Sequence, residues 1–300
     1  GFLDRVLTFA FGDDAHPEGA RPILGAPMLS DWLPHRSYDS STDIFYNAGS
    51  IGFIVEAAPM VGANERTGAL WSQLLSDTIP SGCEFQALYA QSPSVGPKIT
   101  DWILPRLLAK GVFARAAEHR ARWLRRGVWE SLSKDAPFFL RQHRVFISIA
   151  APINSSIDVH VLNTVREALL TTLDAVGMPA RKVTPVEFIG LINELLSPST
   201  DNADKPSDYN TLDPIAPQCV RRDLETNISE HRIICQSNRF RPTGEKVDGV
   251  PVIGEVIPDK FDLRFFSVRN FPPRFAPWDA QLLIGDPFND KLRHRGNVFI

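Results

Sequence analysis

A regular alternation of strand-like and helix-like apolar patterns over residues 51–183 constrains the fold of this chain most strongly. The alternation opens with an apolar, strand-like run at residues 51–57. Asn64 then stands where it can accept the first free amides of a helix. In residues 84–89 apolar residues occupy every second position, which predicts a second strand with at least a partly solvated face.

The second half of this alternation repeats the same elements after an interruption. A long helical pattern occupies residues 99–133, and a continuous apolar strand pattern follows at 145–150. Apolar residues then recur at every fourth position from Val161, and residues 181–183 predict a short closing strand. Without the helical insertion the order is β-α-β-β-α-β, so we predict a ferredoxin-like core that carries the insertion as a lobe at the sheet edge.

The chain is therefore expected to be of mixed α/β (α+β) class with a β-rich C-terminal part. We predict an N-terminal helix and linker at 1–30, the core at 31–196, a flexible loop at 197–214 and the β-rich region at 215–300. The competing topology is a single larger mixed sheet that recruits the later strands. Those strand candidates are residues 219–224, 231–236, 250–256, 263–268 and 282–284.

Composition excludes several classes of protein. With 43% hydrophobic residues in 300, a full core is available. A net charge of −3 with 22% charged residues is typical neither of a polyanion-binding chain nor of a disordered acidic one. No apolar run approaches the ~18 residues that span a bilayer, so we expect a soluble chain.

The cysteine pattern gives no sign of a disulfide framework or a metal site. Cys83, Cys219 and Cys235 are odd in number and form no C-x-x-C, which favours a reducing compartment. His231 and Cys235 fall in a strand pattern, where positions four apart are separated by about 13 Å. We expect neither metal ligands nor catalytic residues, since no nucleophile-elbow, H-E-x-x-H or G-x-G-x-x-G motif occurs.

A basic cluster on the helical insertion is the strongest candidate for a binding surface. Pro105 and Gly111 are expected to interrupt the insertion, and three tryptophans alternate with its basic residues. Seven cations face three carboxylates over residues 99–133. The functional interpretation is a docking surface for an acidic partner, an anionic membrane or single-stranded DNA. The structural interpretation is a solvated basic face whose tryptophans turn into the core. We take four arginines as the candidate partner-binding residues: Arg115, Arg122, Arg125 and Arg126.

Four short motifs, in order and spacing, resemble a known family. They are L-P-H-R-S-Y-D at 33–39, G-F-I-V-E at 52–56, S-V-R-N-F-P-P at 267–273 and G-D at 285–286. The chain resembles the N-terminal region of the TraC-like conjugation ATPases of F-type type IV secretion. Those proteins hydrolyse ATP in a C-terminal RecA-like domain that opens on G-x-x-x-x-G-K-[ST]. In the family pattern the position of His35 is more often aromatic, which leaves the role of His35 open. By itself the segment is typical of a structural clasp.

The resemblance implies a non-catalytic, assembling part of a motor. It implies a location at the cytoplasmic face of the inner membrane of a Gram-negative bacterium, with inner-membrane subunits of the secretion channel as partners. It also implies a homo-oligomer, and ATP with Mg²⁺, for the longer protein only. We expect this chain to be cut from such a protein, since residues 297–300 leave a strand pattern open.

Two alternatives from other classes remain open. The first is a free-standing α/β enzyme without a recognised motif. The second is a nucleic-acid-binding module that uses the basic helix. An RNA-recognition strand is disfavoured, because residues 51–55 lack the leading basic residue and the full aromatic pair.

We predict that this chain neither binds nor hydrolyses ATP. No Gly-Lys dipeptide occurs in the sequence, so the backbone cradle and the lysine that neutralise a triphosphate are both missing. Isothermal calorimetry should show no binding at micromolar protein, and phosphate release should equal that of a boiled sample. Micromolar affinity or turnover above that background would contradict the prediction.

Overall fold

The computed structural model describes residues 29–60, 62–128, 130–133, 139–196, 208–220, 224–229, 232–241, 246–247, 250–251, 255–264 and 298–299. The predicted N-terminal helix, most of the loop at 197–214 and the strand candidate at 282–284 lie outside the described residues. Within the described ranges the chain is mixed α/β, with a main antiparallel sheet and six α-helices.

The main sheet has seven strands, and every neighbouring pair in it is antiparallel. The strands are β1 (His35–Asp39), β2 (Ile44–Asn47), β3 (Ser50–Ala57), β4 (Glu84–Ser92), β5 (Gln142–Pro152), β6 (Ala180–Lys182) and β12 (Val298–Phe299). Their order is β1-β2-β3-β5-β4-β12, and β6 also pairs with β3. Because the whole length of β3 pairs with β5 on one edge, β2 and β6 share the other edge of β3.

The remaining strands form two smaller sheets. In one of them β8 (Arg232–Arg241) lies between β7 (Glu225–Ser229) and β11 (Glu255–Arg264). In the other, β9 (Lys246–Val247) pairs with β10 (Val250–Pro251). The C-terminal part is therefore rich in strands, and of these only β12 among the described residues joins the main sheet.

The predicted strand at 219–224 is not formed by its described residues, 219, 220 and 224, and its residues 221–223 lie outside the described ranges. A short helix occupies Ile215–Gln218, and the amide of Cys219 donates to the carbonyl of Ala216 over 3.1 Å in the turn that ends it. The buried Ile215, Ala216 and Cys219 pack there against the sheet, so burial rather than strand pairing accounts for the apolar pattern.

Local capping chemistry sets the starts of two helices, and the sequence predicted the cap at Asn64. The Asn64 side chain accepts the Thr67 amide over 2.9 Å at the start of the first helix. The Glu187 carboxylate accepts from the Thr184 amide over 2.8 Å at the start of the fifth. The helices are α1 (Glu65–Gln73, continued by a π turn at Leu74–Thr78), α2 (Gly96–Leu107), α3 (Gly111–Arg126), α4 (Val159–Ala175), α5 (Pro185–Leu196) and α6 (Ile215–Gln218).

Both faces of the main sheet are covered. On one face, Phe53 and Val55 of β3 pack with Leu162 and Leu169 of α4, and Leu74 at the end of α1 joins them. On the other face lies a second core. Its members include Phe45, Phe146, Val183, Phe188 and Ile215. The sheet is thus the middle layer between α1 with α4 and α5 with α6.

The helices α2 and α3, together named the helical lobe, form the insertion between β4 and β5. Ile99, Ile103, Ala117 and Ala121 make a third core that is separate from the other two. The predicted interruption at Pro105 is wrong, because Pro105 lies inside the last turn of α2. The break falls at Leu108–Lys110, and Lys110 and Gly111 both have positive φ, at 54° and 61°.

Gly52 gives a stability prediction for the central strand pair. A Cβ there would stand 2.5 Å from the Ile149 carbonyl oxygen and 2.9 Å from Ala150 Cα, both of them backbone atoms of β5. Gly52→Ala should therefore lower the free energy of unfolding by about 1–3 kcal/mol. The matched control is Gly68→Ala in α1, where nothing lies within 4 Å and the change should stabilise by about 0.5–1 kcal/mol. Urea unfolding measures both, and a neutral Gly52→Ala would contradict the close approach.

Candidate functional site

The four candidate arginines all lie exposed on α3. Arg115, Arg122 and Arg126 are spaced by seven and four residues, which places them on one helical face. Arg125 lies at the edge of the same face, one residue before Arg126. The buried side of the helix, Ala117 and Ala121, points elsewhere. The structure thus brings the four residues together on one surface.

Part of this positive charge is paired with carboxylates on the same helix or just beyond it. Arg122 lies 4.0 Å from Glu118, and Arg126 lies 3.3 Å from Glu130, both four residues apart. Arg125 Nη2 also donates to Thr100 Oγ1 of α2 over 3.4 Å. These side chains are at least half exposed, so each ion pair contributes only a few tenths of a kcal/mol. The surface is still available to an anionic partner at little cost.

The apex of the lobe carries an apolar surface that the sequence analysis did not identify. Leu104 and Leu108 are 55% and 81% exposed, and Val112 and Phe113 are 69% and 77% exposed. We name these four residues the apolar apex. They flank the turn at Lys110 and Gly111, so the tight turn keeps them away from the lobe core. In the sequence, the signal for this surface is the presence of large apolar residues on both sides of the Lys110–Gly111 turn.

A groove between α2 and α3 continues from this apex. It has a volume of about 370 Å³ and is lined by Trp102, Phe113 and alanines. The guanidinium carbons of Arg106 and Arg120 lie 4.3 Å and 5.9 Å from the centroid of the Trp102 ring. Trp102 is half-buried and Trp123 is 40% exposed, so the two tryptophans do not simply fill the core. Trp129 lies outside the described residues.

The last five residues of the L-P-H-R-S-Y-D segment form β1, which pairs with β2 at the edge of the main sheet. The His35 ring packs edge-on against Phe188 of α5 with ring centroids 4.5 Å apart. His35 Nδ1 lies 2.8 Å from Asn47 Oδ1 of β2. Burial lowers the pKa of His35 below its usual value, the hydrogen bond to Asn47 opposing this. His35 thus makes an aromatic contact with α5.

Tyr38 links the same strand to the loop that follows it. Its hydroxyl donates to Asp43 Oδ1 over 2.7 Å, and this bond lowers the pKa of the Asp43 carboxyl. Asp43 Oδ2 accepts from Lys182 Nζ of β6 over 3.0 Å. The buried Arg166 of α4 donates to the carbonyl of Thr42 over 2.8 Å. The cluster holds β1, β6 and α4 together, so we interpret its role as structural.

A buried polar network was missed because its carboxylate interrupts an apolar helix face. Glu194 of α5 is 4% exposed and accepts from Ser92 of β4 and from Arg144 of β5. Arg144 also lies near Phe146, with its guanidinium carbon 5.2 Å from the ring centroid. The ion pair offsets the charge of the buried carboxylate, although Arg144 Nε has no hydrogen-bond partner, and it fixes α5 against two neighbouring strands. Its contacts are accounted for by the packing of α5 on the sheet, so we interpret its role as structural.

Acid–base and metal chemistry find no support in the described part of the chain. Burial raises the pKa of Cys219 to about 12 and that of Cys235 to about 11, so both thiols stay protonated and unreactive. In the ranges that the structure describes, no group of three or more His, Cys, Asp or Glu side chains is placed to hold a metal ion. His231 lies outside those ranges. Each helix described is too short or too polar to span a membrane.

Comparison with known proteins gives the family. The family model described as TraC protein matches residues 29–300. Over 221 residues the chain is 24% identical to Protein TraC of Escherichia coli (strain K12), and this match covers 70% of the chain and 25% of that protein. The chain belongs to the TraC family of conjugative-transfer proteins, which confirms the resemblance read from its motifs. Membership associates it with type IV secretion of the F type.

The half-buried His35 predicts a specific pH dependence of stability. Because its folded pKa lies below the unfolded value of 6.5, its contribution is fully present above that pH and is lost as pH falls through the folded pKa. His35→Phe keeps the ring contact with Phe188 and removes this titration. We expect the variant to lose less unfolding free energy than the parent chain between about pH 7.5 and 5.5. Urea unfolding at several pH values measures it.

The control for this experiment is His143, whose pKa burial also lowers. Its titration remains in His35→Phe and should account for part of the residual pH dependence. An unchanged pH dependence in His35→Phe would show that His35 is not the titrating group.

Proposed function

We propose that this chain is the non-catalytic N-terminal region of a conjugation ATPase, and that it mediates assembly and recruitment to the inner-membrane secretion complex. The observation that carries the proposal is the family match over residues 29–300 together with a match covering only 25% of the Escherichia coli relative. Such a relative has ample length for a motor domain beyond the matched region. Recruitment would serve pilus assembly or DNA transfer.

The fold supports the assembling role through its sheet. The strands β6, β3, β5 and β4 are adjacent in that order, and α1 and α4 cover one face. We propose that they form a ferredoxin-like unit extended at one edge by β2 and β1. The helical lobe leaves this unit between β4 and β5, so a partner could bind the lobe without disturbing the sheet.

ATP and Mg²⁺ belong to the proposed longer protein. The residues present here do not fit them, because the connection from β3 to α1, residues 58–64, contains one glycine and no lysine, serine or threonine. A phosphate cradle needs several backbone amides, a lysine and a hydroxyl for the metal. Nucleotide chemistry is accordingly assigned to a RecA-like domain outside this chain.

We propose the inner-membrane subunits of the secretion channel as partners, at the cytoplasmic face of the inner membrane of a Gram-negative bacterium. The candidate surface is the exposed face of α3 with Arg115, Arg122, Arg125 and Arg126. Homo-oligomers are proposed for the longer protein. Because the whole chain carries a net charge of −3, a local excess of cations would orient it toward an anionic partner.

The test is recruitment of this chain to inverted inner-membrane vesicles that carry the channel subunits. Replacing Arg115, Arg122, Arg125 and Arg126 by glutamate should abolish recruitment, because the surface then repels an anionic partner. Thermal melting should stay nearly unchanged, since the four side chains are exposed. The control reverses the exposed Arg36 and Arg66, which lie outside the lobe. Unaltered recruitment by the quadruple variant would make the arginines a solvated face.

A further inference from the structure

Exposed apolar residues elsewhere in the described part of the chain are scattered, but the helical lobe concentrates four of them at one end. Leu108 and Phe113, at 81% and 77% exposed, stand on opposite sides of the Lys110–Gly111 turn. Single exposed apolar side chains such as Leu212, at 91%, are normal on a protein surface. Four large apolar side chains at one end of the lobe, which no element of the described residues covers, are different and are typical of a docking site.

The segment that contains the turn of the helical lobe carries charges of one sign. Between Asp101 and Glu118 the sequence contains no carboxylate and three cations, Arg106, Lys110 and Arg115. All three side chains belong to exposed residues, so they reach solvent beside the apex. Long basic side chains can extend from an apolar surface to phosphate groups while their methylenes stay in apolar contact. Charge and hydrophobicity therefore select an occupant that is both anionic and apolar.

The aromatic residues behind the apex fit the same occupant. Half-buried Trp102 lines the groove that leads from Phe113, and Arg106 and Arg120 lie over or near its ring. Indoles prefer the boundary between hydrocarbon and water, where the ring is apolar and its N–H is hydrated. The same end of the lobe thus presents exposed apolar side chains, cations and an indole. A bilayer surface offers acyl chains and phosphates to these three kinds of group.

We propose that the apolar apex inserts into the headgroup and upper acyl region of an anionic bilayer, with Arg106, Lys110 and Arg115 contacting lipid phosphates. This inference deepens the proposed function and rests on it for bringing the chain to a membrane. Neither the apolar apex nor the three cations bind a bilayer stably alone, because the apex is small and electrostatic attraction decays over about 8 Å at physiological salt. Together they make a shallow, reversible anchor.

The geometry also explains why the lobe has its own core. Ile99, Ile103, Ala117 and Ala121 hold α2 against α3 independently of the sheet. The apex therefore keeps its shape when bound, and its insertion requires no opening of the main fold.

The experiment is flotation of the 300-residue chain with protein-free vesicles. Vesicles of equal parts phosphatidylcholine and phosphatidylglycerol should carry the chain upward, and vesicles of phosphatidylcholine alone should carry much less. The double variant Leu108→Ser with Phe113→Ser should bind at least about tenfold more weakly, since most of the inserted apolar area is lost. The control Leu212→Ser removes an equally exposed leucine outside the lobe and should bind like the parent chain.

Other outcomes overturn the inference. Binding unchanged in the Leu108→Ser, Phe113→Ser variant would mean that only the cations act. Absence of binding to anionic vesicles, with a concentration-dependent dimer that the same variant abolishes in sedimentation, would make the occupant a second copy of this chain. Thermal melting of all variants shows that the fold is retained.

The two proposals fail separately. The Leu108→Ser, Phe113→Ser variant leaves the four candidate arginines in place, and the vesicles contain no channel subunits. Binding to pure lipid without further recruitment by channel subunits would overturn the proposed function alone. Recruitment by subunits without binding to pure lipid would overturn the bilayer inference alone.

Discussion

The pairing of β3 with β5 is the interaction on which the rest of the structure depends. Eight residue pairs join them, from Ser50 with Pro152 to Ala57 with Val145. Both strands are flanked by others, and their side chains feed the cores on both faces of the sheet. Gly52 lets the two backbones come close at the centre of this pair. Loss of this pair would separate α4 from α5 and leave both cores open.

Polar interactions hold α4 and α5 in position on the main sheet. Glu194 ties α5 to β4 and β5, and Arg166 ties α4 to the loop after β1. Each of these charges is buried and bonded, so removing one partner would strand the other in an apolar environment. The network therefore fixes where the helices sit, while the apolar cores supply most of the stability.

The helical lobe packs independently of the β3 and β5 pair, so its surface is available for binding. Its core is separate, its basic face is exposed, and its apex is apolar. Substitutions on such a surface change binding more than stability, because little packing is lost. A chain that belongs to the TraC family thus combines a rigid sheet with a lobe whose surface chemistry can match a partner or a bilayer. The motor chemistry proposed for the longer protein would depend on this part only for position.

The sequence by itself determined the local structure of this protein. Asn64 and the Thr184–Glu187 pair start helices through bonds to amides a few residues away, and Gly177 ends one with φ +81°. Apolar runs likewise located β3 and β5, and alternation located β4. These signals act between neighbours in the chain, so they can be read without the fold. The family followed from the order and spacing of short motifs, which also belong to the sequence alone.

Only the tertiary structure decided what depends on distant partners. Cys219 lies in a helix-ending turn because its apolar neighbours find burial there, and Glu194 is buried because Arg144 meets it fifty residues away in sequence. The addition of β12 to β4 joins segments that are far apart in the sequence, with Val298 paired to Gln91. The exposure of Leu108 and Phe113 follows from how α2 packs on α3 and from the absence of any covering element among the described residues. Apolar residues in a helix predict a buried face, and only packing shows which of them stay in water.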